Sequence, residues 1–120
     1  MRLEIIEHQG KTVARVTSEH ILITDVDTAL DLMADVHYQT KSRSLIIDAA
    51  TIDPRFFDLS TRLAGEILQK FVTYSVKLAI VGDFSQVGSK SLRDFIRESN
   101  QGRDIFFCNS EHEALQRLVT

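Results

Sequence analysis

Cysteine occurs only once in this sequence, at Cys108. A lone thiol cannot form an internal disulfide, so a disulfide-stapled scaffold is excluded and a reducing cytoplasm is the expected setting. No apolar run approaches the roughly 20 residues that a membrane-spanning helix needs, so no membrane segment is expected. The opening Met1-Arg2-Leu3-Glu4 is charged and strand-like, without the apolar core of a secretory signal. Positive charge is also in short supply. Lys and Arg number 14 against 17 Asp and Glu, giving a net charge of −3 and a pI near 5.7. Nonspecific nucleic-acid binding needs a basic surface to displace counterions, and this balance argues against it. Internal repeats, low-complexity tracts and linkers are missing too, and 120 residues suit a single domain over 1–120.

Several motifs of enzyme chemistry are missing as well. The stretch from Gly82 to Ser91 superficially looks like a phosphate-binding loop, but five residues separate its glycines and Ser89 intervenes before Lys90. The required spacing is G-x-x-x-x-G-K-[ST], and no G-x-G-x-x-G occurs either. His8, His20, His37 and His112 are dispersed with no pair at metal-ligand spacing, so neither a metal nor a cofactor is expected. No nucleophile-elbow motif marks a serine hydrolase. Cys108 lies inside an apolar strand, where core packing is the expected role.

What remains is a regular alternation of elements. Val76 to Asn100 is its centre: an apolar run, Leu78 to Val81, stops at Gly82-Asp83, and a polar loop leads to a helix carrying Leu92, Phe95 and Ile96. A strand without polar alternation is buried on both faces, as in the middle of a parallel or mixed sheet. Leu45-Ile46-Ile47 and Ile105 to Cys108 have the same character. Two β-type runs around Gln9-Gly10-Lys11 predict an opening antiparallel hairpin. Ile21 to Ile23 reads equally as a short strand or as the apolar entry to a helix.

Thr24 with Asp27 resembles a capping box and predicts a helix over about 25–38. Asp53-Pro54 gives an N-cap and a first-turn proline for a second helix with Leu63, Ala64, Ile67, Leu68, Phe71 and Val72 on one face. Glu66 and Lys70 are spaced for an i,i+4 pair there, and Gly65 suggests close packing against a neighbouring backbone. Gly102 suits a left-handed C-cap for the third helix. Ser110 with Glu113 opens a fourth, whose inner face is Ala114, Leu115, Leu118 and Val119. The fold class is therefore α/β, with a single mixed, mostly parallel sheet of about five strands in the order β-β-α-β-α-β-α-β-α.

Two resemblances follow. Leu45-Ile46-Ile47-Asp48 through Phe56-Phe57-Asp58-Leu59-Ser60-Thr61 resembles the strand-to-helix segment of the STAS fold (sulfate transporter and anti-sigma factor antagonist). That segment carries an Asp-Ser-Ser-Gly motif; Asp58 matches its aspartate and Ser60 its second serine, while Leu59 and Thr61 depart from it. The resemblance implies Ser60 as a phosphorylation candidate. Phe56-Phe57-Asp58-Leu59, Leu63 through Phe71, and Val76 to Gly102 resemble the bacterial domain of unknown function 4180. That likeness covers nearly the whole chain and implies a small STAS-like α/β protein, but it brings no established activity.

The buried strands end at Asp48, Gly82-Asp83 and Asn109-Ser110, and parallel neighbours would gather these groups on one edge. Open α/β sheets usually hold ligands there, at the carboxyl ends of strands and the amino ends of helices. Asp48, Asp83, Ser85, Ser89 and Arg93 are accordingly the candidates for binding a ligand or partner. The other reading is that Asp and Asn only cap the following loops. Lys90, Arg93 and Arg97 share a helix flank that could accept a phosphate, although Asp94 and Glu98 dilute it into a solvated face. Phe56-Phe57 is either a docking patch or a staple of the helix start to the core. The functional expectation is a cytoplasmic, non-enzymatic regulatory or protein-interaction module, with an unidentified protein partner or small ligand. The alternative is a small-ligand sensor or small enzyme using the same crevice. A homodimer is expected if the helices leave one sheet face bare, unless Ile21 to Ile23 covers it.

Overall fold

In a computed structural model describing residues 1–120, Gln9 and Gly10 take positive φ values of 51° and 80°. Two consecutive residues of positive φ are what a type I′ hairpin turn requires. The chain therefore turns straight back, and β1 (Arg2–His8) pairs antiparallel with β2 (Lys11–Thr17) over its whole length. Helices then alternate with strands: α1 (Val26–Thr40), β3 (Ser44–Asp48), α2 (Leu63–Thr73), β4 (Lys77–Val81), α3 (Lys90–Asn100), β5 (Ile105–Cys108) and α4 (Glu111–Val119). The five strands form one mixed sheet in the order β1-β2-β3-β4-β5, and β3, β4 and β5 run parallel to β2 and to one another. The segment at Ile21 to Ile23 resolves as a single parallel bridge, Ile23 to Ile52, not a strand.

Alternation along the strands divides the core in two. Ala14, Leu45, Ile47, Leu78, Ile80 and Phe107 face the larger cluster, with the apolar stripes of α1 and α2 laid over them and Phe95 and Ile96 of α3 at its margin. Val13, Ile46, Ala79, Phe106 and Cys108 face the other way, against Ala114 and Leu118 of α4. The first three helices thus share one face, and α4 alone covers the second. The Ile21–Ile23 segment does not cover that second face, because Ile23 packs in the larger cluster.

Several local expectations shift. The α1 cap is Asp25, not Thr24, with Thr28 completing the box: Asp25 accepts from the Thr28 N–H while the Asp25 N–H donates to the Thr28 hydroxyl. The second helix does not run from Pro54. Residues Pro54–Phe57 and Leu59–Thr61 form two 3-10 turns, and α2 begins only at Leu63. Asp58 accepts from the Ser60 N–H, and Arg62 sits at a left-handed φ of 64°, so a continuous helix cannot pass through. An alanine-sized side chain at Gly65 would meet nothing within 4 Å, so no close packing explains that glycine. Val72 is 42% exposed, and no Glu66–Lys70 pair forms. The α3 C-cap is Gln101 in ordinary right-handed geometry, not a left-handed Gly102.

Candidate functional site

The carboxyl ends of β3, β4 and β5 lie side by side, with Asp48 paired to Val81 and Val81 to Cys108. Asp48 ends β3; Ser60, Asp83, Ser85 and Ser89 lie in the loops that follow β3 and β4; and Arg93 lies in the first turn of α3. The structure gives each a specific neighbour. Asp48 points toward the α4 side, where Arg15 Nη2 donates to its Oδ1 at 2.9 Å and Arg15 Nε donates to Glu111 Oε1 at 2.7 Å. Burial pulls the Arg15 pKa down, but hydrogen bonds and charge from Asp48 and Glu111 outweigh it and leave the guanidinium's pKa raised. Asp48 is therefore part of a three-residue ionic lock joining β2, β3 and the start of α4. It does not join the other candidates.

Asp83, Ser85, Ser89 and Arg93 cluster in and beside the loop between β4 and α3. Asp83 accepts from the Ser85 N–H at 3.0 Å and from the Ser85 hydroxyl at 2.6 Å, and these bonds hold its carboxyl below the usual aspartate range. Ser89 caps α3, accepting from the Leu92 N–H at 3.2 Å. Arg93 reaches back from the first turn of α3, and its Nη1 donates to the carbonyls of Val87 and Gly88, each at 3.0 Å. The loop is exposed, and the Asp83–Ser85 and Arg93–carbonyl bonds fasten it.

Aromatic contacts tie this loop to its surroundings. Phe84 stands between Phe57 and Phe107, with centroids at 6.3 Å and 5.4 Å, and Phe56 and Phe95 extend the row at either end. Phe56 is buried and Phe57 partly so, which settles that pair as core and as a link between the 3-10 turns and the β4–α3 loop. Gly82 permits the approach: a Cβ there would lie 2.9 Å from Ala49 Cβ and 3.1 Å from the Phe84 ring. Close contact, not a special φ, is what the glycine serves. Ser60 is exposed in the second 3-10 turn, with its hydroxyl donating to Asp58 Oδ1 at 2.6 Å.

Beside the loop, Phe84, Ile96, Asn100 and Gln101 line an open depression of about 480 Å³ with the guanidiniums of Arg93, Arg97 and Arg117. Arg97 pairs with Asp94, while Arg117 lies 4.6 Å over the Phe106 ring and donates to the Asn100 carbonyl. Asn100 in turn handles the outer edge of β5. Its Oδ1 accepts from the Phe107 N–H at 2.7 Å and its Nδ2 donates to the Phe107 carbonyl at 3.1 Å.

Sequence reasoning did not find a second recess, at the opposite end of the sheet. Leu30, Met33, Ala34 and His37 of α1 line a cleft of about 320 Å³ with Arg43, Tyr74 and Val76. His37 Nδ1 is buried there without a hydrogen-bond partner. The i, i+3, i+4, i+7 spacing of the four α1 residues was the available signal, but it reads identically to a core stripe.

No three His, Cys, Asp or Glu side chains are placed to hold a metal ion, and no helix is long and apolar enough to cross a membrane. A family model described as "Domain of unknown function (DUF4180)" matches residues 8–118. No curated protein and no solved structure matches the chain.

Proposed function

The chain belongs to the DUF4180 family, and from that premise and the geometry of the β4–α3 loop we propose that it is a STAS-like regulatory module of a bacterial cytoplasm, docking a protein partner without catalysing a reaction. One observation carries this reading. The exposed loop from Asp83 to Ser89 is fastened by its own side chains, Asp83 on Ser85 and Arg93 on two carbonyls. A surface held in one conformation loses little ordering entropy on association, which favours docking. The negative net charge supports a protein partner over nucleic acid.

Ser60 follows in the chain three residues after Phe57, whose ring contacts Phe84 of this loop, which supports counting it with the same surface. It is exposed and precedes α2, so phosphorylation there would add charge beside the partner-facing loop, and Asp58 would repel it. A second reading, a small-ligand sensor at this edge, draws on the arginine-lined depression beside Phe84.

The test is affinity capture from the source cell with the parent protein and with Asp83→Ala and Arg93→Ala, alongside thermal melts and phosphosite mapping. The expected result is at least a fivefold loss of a specific partner with little change in melting temperature. Unchanged capture with depressed melting would reject the docking role and leave the loop a structural cap.

A further inference from the structure

We infer that the cleft between α1 and the α2–β4 connection binds a small apolar molecule carrying one carboxylate. The cleft opens at the starts of β3 and β4, beyond Ser44 and Lys77, so it is separate from the loop at their far ends. Its volume of about 320 Å³ is at the lower end of the range for small-molecule sites. Leu30, Met33 and Val76 provide an apolar wall, and Met33 and Val76 are each only 6% exposed.

Two polar residues complete the lining. His37 Nδ1 has no solvent contact and no hydrogen-bond partner, although buried polar atoms are nearly always satisfied. Arg43 is the one formally charged residue among those lining the cleft, and no acidic side chain faces it there. Its Nη1 donates to the Tyr74 carbonyl at 3.1 Å, which holds the guanidinium across the mouth and leaves Nε and Nη2 free. A guanidinium presents paired donors that match a carboxylate, and the His37 ring, its Nδ1 closed off from solvent, serves only as part of the wall. An apolar body on the Leu30–Met33–Val76 wall completes the fit. One guanidinium matches one negative charge, so a carboxylate fits it better than the two charges of a phosphate ester.

The test is a titration of the whole protein, followed by amide chemical shifts, with benzoate as the probe. Benzyl alcohol lacks the charge and acetate lacks the apolar body, so both serve as comparisons. Benzoate should give saturable shifts confined to Leu30, Met33, Tyr74 and Val76, at least fivefold tighter than either comparison. Arg43→Gln should weaken it at least fivefold, while Arg103→Gln leaves it unchanged. Arg43→Gln should still fold, because the Arg43 side chain is exposed. No saturable binding, shifts scattered over the surface, or full affinity in Arg43→Gln would overturn the inference. None of these outcomes touches partner capture through the Asp83 loop, so the two readings fail separately.

Discussion

Arg15 and Asp48 stand on neighbouring parallel strands, and their 2.9 Å contact is joined by a second from Arg15 to Glu111 at the first residue of α4. The Arg15 side chain is only 14% exposed, whereas Asp48 and Glu111 keep 35% and 47%. The two ends are therefore unequal. Without Arg15 the carboxylates rehydrate but its packed stem is lost; without Asp48 the guanidinium keeps Glu111. Arg15→Ala should cost about 2 kcal/mol and Asp48→Ala about 1 kcal/mol in urea unfolding. An Asp48→Ala protein of parental stability that had lost its partner would return Asp48 to the binding site.

Two glycines should respond in opposite directions. At Gly82 a methyl group would collide with Ala49 and Phe84, so Gly82→Ala should lose roughly 1–3 kcal/mol. Gly65 lies in the first turn of α2 with open space around it, so Gly65→Ala should gain about 0.4–1 kcal/mol. Paired thermal melts check both, and a stabilised Gly82→Ala would mean that the Phe84 ring swings away freely.

Burial raises the Cys108 thiol to about 11, with the Glu113 charge adding to the rise and Arg117 opposing it. Iodoacetamide at neutral pH should therefore label Cys108 only as fast as the protein unfolds. The unfolded thiol releases its proton near its ordinary value of about 8.5, well before the folded one. Stability should accordingly fall as pH rises from there toward 11, and a Cys108→Ala protein should lack that component. Rapid labelling of the folded protein would contradict the burial.

Asn100 occupies the edge of β5 as a further strand would, meeting both the N–H and the carbonyl of Phe107. Asn100→Ala should cost about 2 kcal/mol by leaving those groups unpaired. It should also bare a strand edge and promote self-association, visible as a rising mass in light scattering. A variant that stays at parental mass and stability would show that water replaces the amide without loss.

The strands were readable because Leu45 to Ile47, Leu78 to Val81 and Ile105 to Cys108 are unbroken apolar runs bounded by polar residues. The hairpin was readable from Gln9-Gly10, and α4 from Ser110. The segment from Pro54 to Arg62 was not, since Leu59 and Leu63 keep helical spacing while Asp58 and Arg62 interrupt the backbone. Helical periodicity also says which side of a helix is apolar, but not which face of the sheet it covers, so the position of α4 was hidden. In the site, Ser89 and the Asp83 loop could be placed from local signals alone. The Asp48–Arg15 pair could not, because its partners lie 33 residues apart and nothing near Asp48 marks it as taken. His37 was hidden for a related reason: its lost partner is a property of the packed cleft.

The placement of α4 has a consequence for synthesis. Every strand leaves the ribosome before the only helix that shields Val13, Ile46, Ala79 and Phe106. At roughly 5–20 residues per second, the nascent sheet waits with one apolar side open until α4 clears the exit tunnel. That interval is when a chaperone would engage this chain, and a premature stop just before Glu111 would make the exposure permanent.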